Sequence, residues 1–499
     1  MNARNSVAAI LVAGLVATTS HLPAQTNAPA KSVDERIEAL ENEIKQLKQQ
    51  REAERAASEK LEQEIKLLKQ QRESEKSASD QLGQDVQRLK QEHESAQAAE
   101  KKTKALPIVK AGAEGLSVKS ADGEFDFQVH GLLQADAHFY ANDSTDLGTD
   151  EFLLRKVRPI LQGSVFKDFG FKFMLDFGQG TAVIQDCYIE WKRWPELRLR
   201  IGKFKTPAGL EALQADEATE LVERALPFDL LPFRDVGIQL SGDLWDGVVS
   251  YAGGVFNGVL DGASGDRDNG DDKDFAARIF VHPFKKSDIA PLQGLGFGIA
   301  GIFGEPEGST TDLNLPSYRT TGLLTFYRYI SSTNAPGPVF ANGDRVRWSP
   351  QAYYYWGPFG LMGEYAVSSQ EVQRGAGGPT ARLTHDAWQV TATFVVTGEK
   401  ATYKGVAPEH PFLVNGGCGA LELVARYSQL SIDGDAFPTF ASPTSSARRA
   451  SEWAVGFNWW LNKNIKVMLN YDQTDFDGGA ATGDRPTEHA IFGRAQLAF

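Results

Sequence analysis

The chain has 499 residues and a formal net charge of −13, with a mean hydropathy of −0.33. A net negative charge of this size argues against a nucleic-acid-binding surface. It does not determine the sign of the charge inside a cavity, because it is a sum over the whole chain. Beyond the N-terminal leader, no run reaches the roughly 20 apolar residues of a membrane helix. The composition therefore excludes a helical membrane protein, but it allows a β-barrel, in which lipid-facing residues alternate with polar ones.

The N-terminus has the pattern of a secretory leader. Arg4 precedes the apolar stretch "VAAILVAGLVA" (7–17), and small residues follow it. This order predicts a signal peptide over residues 1–24, with a membrane anchor as the less favoured alternative. Cys187 and Cys418 are the two cysteines of the chain, too few for a disulfide framework.

Residues 33–104 carry an internal repeat. The segment "EIKQLKQQREAERAASEKLEQ" (43–63) recurs as "EIKLLKQQRESEKSASDQLGQ" (64–84), a spacing of three heptads. A helix this polar is not stable alone. Its a and d positions are typical of a coiled coil, and the pattern therefore predicts a self-associating coiled-coil stalk or spacer. A charged, partly disordered spacer is the alternative. The apolar seam positions are Ile37, Leu40, Ile44, Leu47, Leu61, Ile65, Leu68, Leu82, Val86 and Leu89.

After a predicted linker over 105–124, residues 125–499 show the alternation of β-strands. Phe169, Phe171 and Phe173 share one parity, for example, whereas Lys172 and Met174 share the other. Aromatic residues crowd the apolar face and its ends, as in the girdles of membrane barrels. The pattern therefore predicts a transmembrane β-barrel rather than a soluble sandwich.

Seventeen segments have strand character, but bacterial barrels have even strand numbers. Treating 305–344 as one long external loop keeps short turns on one side and long loops on the other. The result is an all-β, 16-stranded antiparallel barrel, with 399–418 as a long inner turn. Sixteen strands enclose a water-filled channel.

The loop "TPAGLEALQADEATELVERALPFDLLPF" (206–233) is the longest before the middle of the chain. We expect it to fold inward and narrow the channel. It brings Glu220, Glu223, Lys205 and Arg224 to the constriction. A capped surface helix over "DEATELVERAL" is the alternative.

The alternation also assigns each charged residue to one face of the barrel wall. On the predicted lumen face, basic residues outnumber acidic ones about two to one. Such a lining is typical of anion selectivity, although opposed acidic and basic rows of a non-selective porin are an alternative. The acidic set is Asp176, Asp186, Glu190, Glu364 and Glu422. The basic set is Lys156, Arg158, Lys172, Arg198, Arg200, Arg278, Arg345, Arg347, Arg426, Lys466 and Arg494.

The C-terminal segment "HAIFGRAQLAF" (489–499) alternates up to its last residue. Phe499 is therefore expected to end the last barrel strand. Arg494 has the opposite parity and is expected to face the lumen, on a strand that pairs with residues 125–141.

Several segments resemble the phosphate-selective porins O and P, among them "FLLRKVRPILQGSVFKDFGFKFMLDFG" (152–178), "LRIGKFKTPAGLE" (199–211) and "GFNWWLNKNIKVMLNY" (456–471). The resemblance spans residues 125–499. It implies a trimeric outer-membrane channel whose arginine ladder passes anions such as phosphate. By position, Arg155, Lys156 and Arg158 match one basic strand of that family, and Arg198, Arg200 and Lys203 match the next.

These observations predict a porin of the bacterial outer membrane for passive uptake of small solutes. It would prefer inorganic anions. We expect a homotrimer in contact with outer-membrane lipid, without enzymatic activity, cofactor or nucleic-acid partner. Eight histidines without a nucleophile or metal-ligand pattern agree with this. Aspartates in "GDRDNGDDKD" (265–274) form a predicted external loop, with calcium binding as the alternative.

A structural role is the competing hypothesis. The coiled coil, lying in the periplasm, would tether the outer membrane to peptidoglycan or other cell-wall components. The barrel would then be mainly its anchor.

Overall fold

The computed structural model describes residues 32–104, 106–141, 148–268 and 270–499. The signal peptide predicted over 1–24 lies outside these residues. The chain divides into two units between Lys101 and Lys102.

One helix, Val33–Lys104, of 72 residues, forms the described part of the first unit and ends three residues beyond its boundary. Its repeats are rich in Ala, Leu, Glu, Gln and Lys, which favour helix, and contain a single glycine. The apolar seam of this helix is solvent-exposed, with exposed fractions of 51% for Ile44 and 58% for Leu68. Within the described residues, no helix combines the length and apolar character needed to cross a membrane.

The segment predicted as a linker, 105–124, contains a β-hairpin. Its strands are Ile108–Gly112 and Gly115–Lys119, and the second pairs with the start of the barrel through Leu116 and Val129. Gly115 makes the tight turn possible, because its φ of +84° is costly for other residues. The hairpin therefore extends the barrel sheet at its first strand.

A 16-stranded antiparallel barrel forms the second unit, as predicted. It closes by pairing of the last strand with the first, where Arg494 lies opposite Asp136. The strands are β1 (Asp126–Tyr140), β2 (Glu151–Val165), β3 (Phe169–Asp176), β4 (Val183–Trp194), β5 (Leu197–Lys205), β6 (Arg234–Leu244), β7 (Val249–Phe256), β8 (Asp274–Val281), β9 (Leu295–Gly304), β10 (Val339–Trp356), β11 (Phe359–Arg374), β12 (Thr380–Val395), β13 (Ala420–Ser431), β14 (Ala447–Trp460), β15 (Ile465–Ala480) and β16 (Glu488–Ala498).

The loop between β9 and β10 is shorter than the predicted 305–344, because β10 begins at Val339. This loop holds a small hairpin of its own, Ser317–Arg319 with Thr325–Arg328. Tyr318 and Tyr327 stack across this hairpin with ring centroids 5.5 Å apart. The hairpin explains the strand-like sequence of the loop. On the opposite side of the barrel, residues 396–419 form one long turn, close to the predicted 399–418.

The two faces of the barrel have inverted polarity compared with a soluble protein. Apolar residues such as Ile201 and Ile238 are exposed on the outside, whereas Arg345, Arg347 and Lys466 are almost fully buried. Aromatic pairs from neighbouring strands lie among the exposed residues, as in Trp453 with Tyr471 and Trp388 with Tyr427. This arrangement suits a lipid-facing surface around a polar interior.

Candidate functional site

The 206–233 loop lies inside the barrel. The backbone N–H of Leu210 donates to Glu364 Oε1 on β11 at 2.7 Å, and Asn458 on β14 donates to the carbonyl of Glu220 at 2.9 Å. From β1, Gln134 donates to the carbonyl of Asp216 at 3.2 Å. Since these strands lie on different sides of the barrel, the loop crosses the lumen.

Apolar side chains of the loop anchor it to the wall. Leu210 packs with Phe280 and Met362, and Leu221 packs with Val424 and Ala454. The surface helix considered over "DEATELVERAL" does not form. Leu221 of this segment packs against the barrel wall instead. The regular structure of the loop is limited to one turn, Leu210–Leu213, and a 3-10 segment, Leu226–Leu230.

Asp216 on this loop is a shared partner of several basic side chains. Its carboxylate accepts from Lys156 Nζ at 2.9 Å and Arg224 Nη2 at 2.7 Å, and it also contacts Arg158. Although burial opposes ionisation, these cations and Lys205 hold the pKa of Asp216 well below its usual range. Asp216 is therefore an ionised group within a cationic cluster.

Glu223 makes a similar contact further along the loop. Its two carboxylate oxygens accept from Arg155 Nε at 2.7 Å and Nη2 at 3.0 Å. Burial raises the pKa of this carboxyl, but Arg155 and Arg494 outweigh that effect and lower it to about 2. The loop is thus held to the wall by charge as well as by apolar packing.

Consecutive residues Arg155 and Lys156 both reach the interior because of a β-bulge. Lys156 lies opposite Gln134, whereas Leu154 lies opposite Ala135, so Arg155 is an extra residue in β2. A bulge of this kind re-aims a side chain that strict alternation would point outward. Both cations are consequently available to the loop carboxylates.

Two cavities flank the loop and meet at Arg158 and Asp216, which line both. The outer cavity, of about 590 Å³, lies on the side of the long loops, with Gly262 and Ser317 in its lining. On the side of the short turns lies the inner cavity, of about 420 Å³. The contact between Arg158 and Asp216 therefore lies at the junction of the two cavities.

The two cavities differ in formal charge. Five basic and five acidic side chains line the outer cavity, whereas six basic and three acidic side chains line the inner one. Two of the inner cations, Lys205 and Arg278, contact neutral oxygens. Lys205 donates to the carbonyl of Gln214 at 2.6 Å, and Arg278 donates to Gln351 Oε1 at 2.8 Å. Neither lies within ion-pair distance of a carboxylate among the described residues.

A family model for phosphate-selective porins O and P matches residues 127–499. The chain belongs to the phosphate-selective porin O and P family. Porin O of Pseudomonas aeruginosa is 22% identical over 405 residues, which cover 75% of this chain and 89% of that protein. Both the family and this relative are porins, so the comparison indicates a channel rather than an enzyme.

Solved outer-membrane proteins are also similar to this porin. OmpT of Vibrio cholerae is 11% identical, with a TM-score of 0.49, and the match covers 79% of this chain and all of that one. The outer membrane channel DcaP of Acinetobacter baumannii is 12% identical, with a TM-score of 0.48, covering 76% of this chain and 99% of that one.

Within this porin, the predicted basic residues fall into separate groups. Those that line the two cavities are Arg155, Lys156, Arg158, Lys172, Arg200, Lys205, Arg224 and Arg278. Others lie buried elsewhere on the wall and line neither cavity, namely Arg345, Arg347, Arg426, Lys466 and Arg494. Arg198 is half-buried and pairs with Asp243 near the short-turn end of β5.

Lys203 and Glu220 also line neither cavity. Lys203 lies opposite the exposed Cys187 in the β4–β5 ladder and contacts Asp266 in the loop between β7 and β8, at 2.5 Å. Glu220 accepts from Gln214 Nε2 at 2.9 Å inside the loop.

Carboxylates that parity analysis missed neutralise most of the buried arginines. Arg426 pairs with Glu452 at 2.8 Å, and Asp274 pairs with both Arg345 and Arg347. Asp186, which the parity analysis did place in the lumen, pairs at 2.9 Å with Arg234 at the end of the loop. The basic excess predicted for the whole lumen is therefore concentrated in the inner cavity. Strand parity alone would have placed Glu452 inside, two residues from the buried Ala454.

Proposed function

We propose that this porin forms a water-filled channel of the outer membrane for passive uptake of small solutes, with a preference for anions such as phosphate. The observation that carries the proposal is the excess of basic side chains in the inner cavity. This cavity lies on the short-turn side of its junction with the outer cavity, where we place the constriction of the channel. Rings of basic side chains favour anions in such a pore, and arginine offers paired donors to oxyanions.

The unpaired cations Lys205 and Arg278 provide the test. Replacing either with glutamine should reduce the anion-to-cation permeability ratio roughly threefold, because one basic side chain is removed from the path. Zero-current potentials in planar bilayers under a salt gradient measure this ratio. Lys286→Gln is the matched control, since Lys286 is exposed and pairs with Asp246 on a short turn. Equal potentials for wild type and both lumen variants would contradict the proposal.

Anion preference should also fall as the pH rises from 6 to 8. Burial raises the pKa of Asp229, which lines the outer cavity, to about 7. Its deprotonation over this interval adds a negative charge to the anion path. Reversal potentials at the two pH values should differ in the wild type, and this difference should be smaller in Asp229→Asn. Asp435→Asn, in an external loop, is the control; a pH effect as large in Asp229→Asn as in the wild type would exclude this residue as a source.

We further propose that the porin is a trimer whose helical segment 33–104 self-associates as a periplasmic coiled coil. The first barrel strand begins on the side of the short turns, which faces the periplasm in bacterial barrels. The exposed apolar seam of the helix is the surface that such an assembly would bury.

Seam substitutions test the assembly. Leu61→Asp together with Ile65→Asp should reduce the proportion of three-chain particles in detergent, measured as mass by light scattering. Lys60→Asp, outside the seam, should leave that proportion unchanged. Trimers as abundant in the seam variant as in the wild type would rule out a contribution of the helix.

A further inference from the structure

The inner cavity combines its basic side chains with an apolar patch. Leu132, Met174 and Phe204 are 6%, 4% and 1% exposed and line this cavity. Ile160 lies directly opposite Met174 in the β2–β3 ladder, and Tyr188 on β4 contacts Phe204 with ring centroids 6.0 Å apart. Five consecutive strands therefore contribute apolar groups at one level of the lumen, where a water-filled pore ordinarily presents polar side chains.

Cations are placed directly beside this patch. The Arg200 guanidinium lies 4.3 Å from the ring centroid of Tyr188 and 5.2 Å from that of Phe204. Lys205 and Arg278, which lie beyond ion-pair distance of any carboxylate among the described residues, line the same cavity. An anion that reaches them displaces no internal ion pair.

We infer that the inner cavity selects organic anions that carry an apolar body, such as aromatic carboxylates or aryl phosphates, over inorganic anions. The acid group of such a solute meets Lys205 and Arg278, and its ring lies on the partly exposed side chains of Ile160 and Tyr188, beside Met174. The cavity volume of about 420 Å³ falls within the range of small-molecule sites. Inorganic phosphate has no surface to bury on this patch. The inference rests on the proposed anion channel and names its solute class.

Block of chloride current in planar bilayers tests the inference with matched probes. Benzoate and acetate carry the same charge at neutral pH and differ in the ring; phenyl phosphate and inorganic phosphate form a second pair. In the wild type, we expect the aromatic member of each pair to block at about tenfold lower concentration, because part of a ring leaves water. This comparison needs no variant.

Substitutions then place the site. Ile160→Ser should remove most of the advantage of benzoate over acetate, whereas Leu323→Ser, in the outer cavity, should leave it unchanged. Equal block by both members of each pair, with an anion-selective reversal potential, would overturn the inference and leave the proposed function standing. Stronger block by inorganic phosphate than by phenyl phosphate would also overturn it. A cation-selective reversal potential would overturn both.

Discussion

Asp216→Asn is expected to raise the anion-to-cation permeability ratio about tenfold, because the constriction then loses its shared negative charge. Asp216 lines both cavities and contacts Lys156, Arg158 and Arg224. At an effective dielectric constant near 20, one unit charge about 10 Å away changes the energy of a permeating ion by roughly 1.7 kcal/mol. The substitution leaves the outer cavity with one excess positive charge and the inner cavity with four.

Asparagine keeps the shape of the side chain, and the contact of the loop with Gln134 uses the backbone carbonyl of residue 216. The loop also keeps the pair of Glu223 with Arg155 and the apolar packing of Leu210 and Leu221, so it should stay in place. The control is Glu217→Gln, which removes an exposed carboxylate from the inner cavity one residue further along. A smaller change is expected there, since water screens the charge. An unchanged reversal potential in Asp216→Asn would contradict the assigned constriction.

Arg494→Met is expected to destabilise the barrel by about 3 to 5 kcal/mol, the cost of leaving a buried carboxylate without its partner. Arg494 Nε and Nη2 donate to the two oxygens of Asp136 at 2.7 Å each, and both side chains are almost fully buried. The pair joins β16 to β1, where the barrel closes. The temperature at which the folded band is lost in SDS gel electrophoresis measures this effect.

Two comparisons make this result specific. Adding Asp136→Asn to Arg494→Met removes the uncompensated charge and should restore part of the stability. Lys463→Met breaks the exposed pair with Glu114 and should cost at most about 1 kcal/mol. If Arg494→Met unfolds at the wild-type temperature, the buried pair does not stabilise the closing seam.

Strand alternation allowed the barrel to be predicted from the sequence, because a wall with lipid on one side and water on the other imposes a period of two on every strand. The same rule correctly assigned Arg494 to the strand that pairs with β1. It did not reveal the hairpin within 105–124, whose strands are short and exposed.

The charge pattern of the site was harder to predict, since it depends on contacts between segments distant in the sequence. Asp216 lies about 60 residues from Lys156 and Arg158, and only the folded loop brings them together. A local bulge turns Arg155 inward against the alternation. The unpaired state of Lys205 and Arg278 likewise depends on where every carboxylate lies in three dimensions.

The zero-current potential of the wild-type channel in a potassium chloride gradient tests the central claim most directly. Potassium and chloride have nearly equal mobility, so the sign of the potential reports the selectivity of the pore. An excess of basic side chains in the inner cavity predicts a potential toward the chloride equilibrium value. A potential toward the potassium value would contradict the account of an anion channel.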